Sequence, residues 1–440
     1  MNTEQNLSSH SQGKSLTEWL SYLESIHTTE IELGLTRIQQ VAQRLNIDLS
    51  FAKVVTVAGT NGKGTTCAFL ENAFLANQSS VAVYSSPHIE HFNERLRINK
   101  KDVTDRPFIL AFEQIEYARG DISLTYYEYT TLAAFLILMD NQPDFIILEV
   151  GLGGRLDATN IIDADIAVIT TIDLDHQSFL GNTREAIGFE KAGIMRSDGL
   201  AVLGDLYPTE SILNHAKNIG CDLYVRDQQF KVKTVGNQWQ WQFNGTALTG
   251  LNSPFIPQDN VATALTVLAL LNIPCSEESI NGVIAKTKVA GRTEKFLKTI
   301  CFSNADVILD VAHNPQAAEY LVNHIITQQQ ENNYERVIAV VGMLTDKDVS
   351  NTLLPMTSIV DTWYIGRLDS PRTAESERIA QSIESQTQDN HQYQKKECSV
   401  YCFDNILQAF KIANDQAGEN DLIIVFGSFF TVAEVRRLFV

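Results

Sequence analysis

The chain has 440 residues, 44% of them hydrophobic and 9% aromatic, and a formal net charge of −19. That length exceeds a single core and implies two or three domains of ordinary soluble composition. So acidic a surface excludes general affinity for nucleic acid or anionic membrane, and any anionic substrate must be held by local cations and metal ions.

Met1 to Ser15 is polar and lacks an apolar segment, so no signal peptide is expected. Ser15 and Glu18 have capping-box spacing just ahead of Trp19, Leu20 and Leu23, which predicts a helix start. A second amphipathic stretch runs from Leu35 to Leu45. Strand-like and helix-like runs then alternate. Lys53 to Val57 reads as a buried strand, Thr65 to Ala76 as a helix, and Val81 to Tyr84 as a strand. Thr130 to Met139 reads as a helix, and Phe145 to Val150 and Ala167 to Thr171 as strands. This alternation predicts an α/β fold with a parallel sheet and helices on both faces. The longest apolar run in a helical pattern, Leu132 to Met139, is far too short to span a bilayer.

Between Gly220 and Gly250 the residues turn polar, β-branched and aromatic, Trp239 and Trp241 among them, with turn signals at Gly236-Asn237 and Asn244-Gly245. A small antiparallel excursion is predicted there. Helical pattern returns at Asn260 to Leu271. From Glu294 a second alternating block has strands at Val307 to Val311, Val337 to Val341, Thr362 to Ile365, Ser399 to Phe403 and Asp421 to Phe426. Helices fit at Gln316 to Gln328 and Asn405 to Ala417. This is the pattern of a separate, smaller α/β domain with a hinge near Gly291, dividing the chain into 1–293 and 294–440. The six cysteines are scattered, which fits free thiols in a reducing cytoplasm. Cys398 and Cys402 have the spacing of half a zinc site, but no second pair follows, and ordinary packing accounts for them.

Several motifs carry chemistry. Val57 to Thr65 (VAGTNGKGT) follows a strand and opens a helix. Its glycines let backbone N–H groups converge on an anion, Lys63 adds a charge, and Thr65 offers a hydroxyl to a metal ion. It is not the standard phosphate loop, because Gly64 separates Lys63 from Thr65. Glu149 ends an apolar strand and is followed by Gly151, Gly153 and Gly154. It is either a solvated strand end or a metal-binding carboxylate, and the neighbouring phosphate loop favours the latter. His176, in Asp173-Leu174-Asp175-His176, and Ser86, in Tyr84 to His88, also follow strands. A lone histidine is more often structural, but hydroxyl, carboxylate and imidazole at three strand ends suit one metal-binding edge. Lys191 would be a surface group, or else useful beside a metal only after a change such as carbamylation. In the second block Asp310 and His313 end a strand before a helix opening at Pro315, and Arg292 is either a surface residue or a phosphate clamp.

Jointly, these motifs resemble the folylpolyglutamate synthase and dihydrofolate synthase family, relatives of the Mur peptide ligases. The residues that carry the resemblance are Gly59 to Thr65, Tyr84 to His88, Glu149 to Asn160, Asp175-His176, Glu190 to Ile194, Gly291-Arg292, Asp310 to Pro315, Gly342 to Asp348 and Gly427-Ser428. Leu124 to Glu128 looks like the pterin-side loop of the family's bifunctional bacterial members. The resemblance implies a parallel-sheet ATPase domain like the Mur central domain, followed by a smaller Rossmann-like domain. It implies that Thr60, Asn61, Gly62, Lys63, Gly64, Thr65, Asn260, Arg292 and Asp310 bind ATP, with His313 nearby. Ser86, Glu149 and His176 would bind two magnesium ions, and Lys191 would be carbamylated. Ile31, Glu32, Leu33, Thr125, Tyr126, Tyr127, Glu128, Leu156, Asp157 and Ala158 would touch the pteroate. Thr293 departs from the bulky apolar residue expected after the arginine.

The implied activity is ligation of L-glutamate to dihydropteroate or reduced folates through an acyl phosphate, by a cytoplasmic monomer. Folylpolyglutamate synthesis alone and a Mur-type peptide ligase are the alternatives. The latter carries a sizeable domain before the phosphate loop, whereas 58 residues precede Gly59 here. A nucleotide-gated binding protein would explain the loop, but not Glu149, His176 and Lys191 together.

Overall fold

The structure, a computed structural model, describes residues 13–29, 31–236, 238–299, 303–389 and 398–440. Asn237 of one expected turn, and Cys301, lie outside them. Two compact units result. One comprises the described residues through Ile172 with Leu180–Thr287, the other Asp173–Phe179 with Lys288–Val440.

The first unit is built on eight strands: β1 (Lys53–Ala58), β2 (Val81–Tyr84), β3 (Leu96–Ile98), β4 (Lys101–Asp102), β5 (Phe145–Glu149), β6 (Ile166–Ile169), β7 (Leu200–Leu203) and β8 (Asp222–Val225). Their order is β4-β3-β2-β5-β1-β6-β7-β8. Pairing is parallel from β2 to β8, while β3 and β4 add an antiparallel edge. Strands such as KVVTVA and FIILE are near-continuous apolar runs because both sheet faces are covered. One core gathers Trp19, Phe108, Phe112, Tyr129, Ile146 and Leu148, and another Ala58, Ile169, Leu203, Ile187 and Ile212. The chain leaves β1 toward β2 on one side and returns past it to β6 on the other. The carboxyl end of β1 is thus the switch point where open α/β sheets hold ligands.

The antiparallel excursion is β9 (Phe230–Val235), β10 (Gln238–Phe243) and β11 (Thr246–Asn252). It begins later than the sequence pattern suggests, since β8 joins the main sheet in parallel with β7. Asn244 and Gly245 both have positive φ, 45° and 77°, as a tight I′ hairpin turn requires. Trp239 donates to the Asn252 carbonyl at 2.9 Å. Trp241 donates to Thr266 Oγ1 at 3.1 Å, on the helix Gln258–Leu270, and so staples the excursion to that helix.

The second unit has β12 (Glu294–Phe296), β13 (Asp306–Leu309), β14 (Arg336–Val341), β15 (Thr362–Gly366), β16 (Ser399–Phe403) and β17 (Asp421–Phe426). The order is β12-β13-β17-β14-β15-β16, with β12 antiparallel and the rest parallel. Its core holds Leu321, Ile325, Trp363, Ile365, Ile379 and Phe426.

Trp241→Ala removes a buried indole and the excursion's hydrogen bond to Thr266. It should lower the stability of the first unit by about 3–5 kcal/mol. Urea unfolding of variant and wild type checks this, and a loss below about 1 kcal/mol would contradict the staple.

Candidate active site

The loop after β1 is shaped by its glycines and by the end of β6. Gly59 has φ 153°, and a Cβ there would lie 1.8 Å from Thr170 Oγ1. Gly62 has φ 88°, and its Cβ would lie 2.6 Å from Asn260 Oδ1. Thr60 N donates to the Thr171 carbonyl at 2.7 Å, Asn61 N to Thr171 Oγ1 at 3.2 Å, and Thr170 Oγ1 to the Asn61 carbonyl at 2.6 Å. The helix Lys63–Ala76 then opens, its first bond running from Thr66 N to the Gly62 carbonyl. The N–H groups of Gly64 and Thr65 precede that bond and find no acceptor among the described residues, so they form an anion-binding terminus. Lys63 Nζ lies on the loop, donating to the Gly59 and Thr60 carbonyls at 2.9 and 3.3 Å. Thr65 Oγ1 donates to the Gly62 carbonyl and accepts from Asn260 Nδ2 at 2.8 Å, which holds the helix Gln258–Leu270 against the loop.

Glu149 ends β5 beside β1 and is only 7% exposed. A Cβ on Gly64 would lie 3.7 and 3.8 Å from its two carboxylate oxygens, so the carboxylate faces the helix terminus directly. Ser86 Oγ is buried without a well-formed hydrogen bond, 3.2 Å from where a Gly151 Cβ would sit and beside the Tyr127 phenol. An orphaned hydroxyl and a buried carboxylate next to an anion cradle are donors suited to a hard divalent cation. Among the described residues no three His, Cys, Asp or Glu side chains form a metal-binding group by themselves, so phosphate oxygens and water would complete any such shell.

Lys191 is 4% exposed, on the helix Arg184–Ala192. Gly154 lets the loop after β5 nest there: its Cβ would meet the Glu190 carbonyl at 2.9 Å and the Lys191 Cα at 3.1 Å. Arg155 N donates to that same carbonyl at 2.7 Å.

The three segments expected to touch the pteroate converge. Arg37 pairs with Glu32 and reaches Glu128 at 3.3 Å, joining Ile31–Leu33 to the start of the helix Tyr126–Asn141. Thr125 and Glu128 form a capping box there, which accounts structurally for both side chains. Tyr127 donates to Asp157 at 3.4 Å, bringing in Leu156–Ala158. Asp157 also accepts from Gly151 N and Leu152 N at 3.0 Å and from Thr159, bracing the glycine loop. Burial pushes its carboxyl above the usual range against those bonds.

In the second unit, the carboxyl ends of β13, β14 and β17 carry Asp310–Asn314, Gly342–Asp348 and Gly427-Ser428. Burial raises the Asp310 carboxyl, opposed by Arg292 and by bonds from Thr293 N and Ala312 N, each 2.8 Å. The Arg292 guanidinium lies over Phe429 at 5.6 Å, and Thr293 takes φ 44°, a strained conformation for a β-branched residue. Asp175 is gripped by Lys347 Nζ at 2.7 Å, Asn314 Nδ2 at 3.3 Å and His313 Nε2 at 3.4 Å. Burial works to raise its carboxyl, but His313, then Lys347 and His176, hold it well below the carboxylate range. Asp175 Oδ1 accepts from His176 N at 2.8 Å, fixing that residue at φ 50°. Sequence reading missed the parts played by Thr170, Thr171, Asp175 and Lys347. Only the unusual Asp-Leu-Asp-His and Asp-Lys-Asp runs signalled the last two.

Gly62→Ala should therefore destabilise the protein by about 1–3 kcal/mol through strain and displacement of Asn260. Gly64→Ala meets only ordinary contacts and gains helix propensity of about 0.8–1 kcal/mol, so its melting temperature should hold or rise. Equal losses in both thermal melts would contradict this geometry.

Comparison with known proteins agrees with this layout. The family model described as "Mur ligase middle domain" matches residues 57–271, and "Mur ligase, glutamate ligase domain" matches 291–429. The chain is 42% identical to the dihydrofolate synthase/folylpolyglutamate synthase of Escherichia coli (strain K12), covering 96% of this chain and 95% of that one. Among solved structures, E. coli FolC in complex with DHPP and ADP is 42% identical, with a TM-score of 0.88 over 97% of both chains. A bifunctional folylpolyglutamate synthase/dihydrofolate synthase with Mn, AMPPNP and L-glutamate bound is 43% identical, with a TM-score of 0.86 over 97% of this chain and 98% of that one. With full-length identity of this order and both Mur models matched, the chain belongs to the dihydrofolate synthase/folylpolyglutamate synthase family of Mur-type ligases.

Proposed function

We propose that this ligase uses ATP to join L-glutamate to dihydropteroate, forming dihydrofolate, and to the γ-carboxyl of reduced folylpolyglutamates. The observation that carries this reading is the buried Glu149 carboxylate set against the anion-binding terminus at Gly64. A phosphate there and a carboxylate beside it repel unless cations lie between them. The relatives solved with ADP, with AMPPNP and Mn, and with L-glutamate support the same assignment.

In this scheme the acceptor carboxylate attacks the γ-phosphorus of ATP, ADP leaves, and an acyl phosphate forms. The free amine of glutamate then attacks the acyl carbon, phosphate departs, and the amide forms with loss of a proton. Thr60, Asn61, Gly62, Lys63, Gly64 and Thr65 cradle the phosphates, and Lys63 with the loop N–H groups offsets charge gathering on the transferred phosphoryl group. Asn260, Arg292 and Asp310 hold the nucleotide, with His313 beside them. Ser86, Glu149 and His176 would hold two magnesium ions, whose chemistry here is to neutralise phosphate charge. A carbamate on Lys191 would turn a buried cation into an anion fit to position one of them. Ile31–Leu33, Thr125–Glu128 and Leu156–Ala158 receive the pteroate. Residues 1–293 thus serve the pteroate and most of the nucleotide, while 294–440, the glutamate-ligase-type domain, adds Asp310 and His313 to the nucleotide. We place the ligase as a monomer in the cytoplasm, and the five described cysteines, all free, fit a reducing compartment.

Lys63→Ala and Glu149→Ala should each abolish ADP release dependent on dihydropteroate and glutamate, a loss of at least about a hundredfold. Near-normal turnover of either variant would refute the assignment. Lys191→Ala should lose activity and regain part of it with formate or acetate, which restores a carboxylate in the space left. A fully active variant without added acid removes the carbamate from the scheme.

A further inference from the structure

Arg95 closes the short turn Phe92–Arg95 and leads into β3. Its carbonyl accepts from Ser85 N at 2.8 Å, which ties it to the end of β2 next to Ser86. The side chain is only 9% exposed. Its Nε donates to His88 Nδ1 at 2.9 Å, and the guanidinium lies 5.9 Å from the Phe92 ring and 5.5 Å from the Tyr126 ring. Its two terminal nitrogens have no hydrogen-bond partner, and no carboxylate pairs with it, among the described residues.

The neighbours do not supply the missing negative charge. Glu94 spends its carboxylate on the backbone N–H groups of Ile89, Glu90 and His91 at 2.7–2.8 Å. The oxygens of Asp157 are taken by the glycine loop and Thr159. The His88 imidazole accepts the Nε bond and carries no negative charge in either protonation state, and burial pushes the Tyr126 phenol up to about 12, so it is neutral near pH 7. Arginine stays protonated in proteins, and an unpaired buried charge is costly. A planar fork with two unused N–H edges, walled by aromatic rings, is a receptor for a carboxylate.

We propose that Arg95 recognises a carboxylate of the acceptor substrate and so sets acceptor specificity. The inference rests on the ligase reading above, in which Tyr126 lines the pteroate site and Ser86 is a neighbouring metal ligand. The carboxylate is either the one every acceptor presents for activation or the α-carboxylate that only a glutamyl tail carries.

The test is steady-state ADP release by the full-length protein at saturating ATP and glutamate, with dihydropteroate and with tetrahydrofolate varied in turn. Arg95→Gln keeps donors without charge, and Arg95→Lys keeps charge without the fork. Arg95→Gln should raise the acceptor KM about ten- to a hundredfold, leave the KM for ATP unchanged, and be partly rescued in Arg95→Lys. A rise with both acceptors assigns the shared carboxylate, and a rise with tetrahydrofolate alone assigns the tail. An acceptor KM unchanged in Arg95→Gln, or an equal rise in the KM for ATP, overturns the inference. If Arg95→Gln does not fold, Arg95→Lys carries the same readout at smaller amplitude. A wild type that releases no ADP with either acceptor would sink the ligase reading itself, whereas an active wild type with an unaffected Arg95→Gln sinks only the role of Arg95.

Discussion

The arrangement of the first unit follows from one constraint: an ionisable carboxylate closes a strand buried on both faces, within reach of a helix terminus that also attracts anions. Glu149 cannot move away, because β5 is paired on both sides, with β1 and with β2. The terminus cannot move either. Gly59 and Gly62 fit only as glycines, and Thr170 and Thr171 hold the loop from β6. Lys63 is turned onto the loop's own carbonyls, where it adds positive charge to the loop. The site therefore sets a buried carboxylate beside an anion-binding terminus, and Ser86 Oγ, left without a good partner, lies against the glycine loop that follows Glu149.

The second unit repeats the device with different groups. Three strand ends converge, and Asp175 is fixed there by a lysine, an amide and an imidazole. The effect reaches His176 through the backbone, since the same carboxylate accepts from its N–H and holds it at positive φ. The restraint acts on the backbone, so it fixes where the His176 side chain leaves the chain.

Much of this was legible because burial writes itself into composition. Doubly covered strands such as Phe145–Glu149 stand out as apolar runs, the capping box at Ser15 and Glu18 marks a helix start, and Asn244-Gly245 marks a hairpin. Edge elements escaped. β3 and β4 have three and two residues, too few for a periodic signal, and β8 is half exposed and so passed for part of the antiparallel excursion. In the site, residue types with intrinsic chemistry were found, while the braces were not. Thr170 and Thr171 act through contacts made only once distant segments meet, while Thr125 and Glu128, expected at the substrate, also cap their own helix, and Asp157 also braces the glycine loop. The departure at Thr293 proved to have a conformational counterpart, a β-branched residue at positive φ beside Asp310.

The chain's charge of −19 sharpens the question of how an acidic protein binds anions such as nucleotides and folates. Surface charges are screened beyond about 8 Å at physiological salt, so the global field decides little at contact. A unit pair 4 Å apart attracts by about 1 kcal/mol in water but about 4 kcal/mol at an effective dielectric near 20. A few sheltered cations outweigh a diffuse surplus of exposed carboxylates. Arg95, at 9% exposure, has that shelter, with two aromatic rings beside its guanidinium. Acidity outside then carries an advantage: anions lacking the right shape gain nothing from the surface, and binding falls to the few positions where charge, donor geometry and a matching ring coincide.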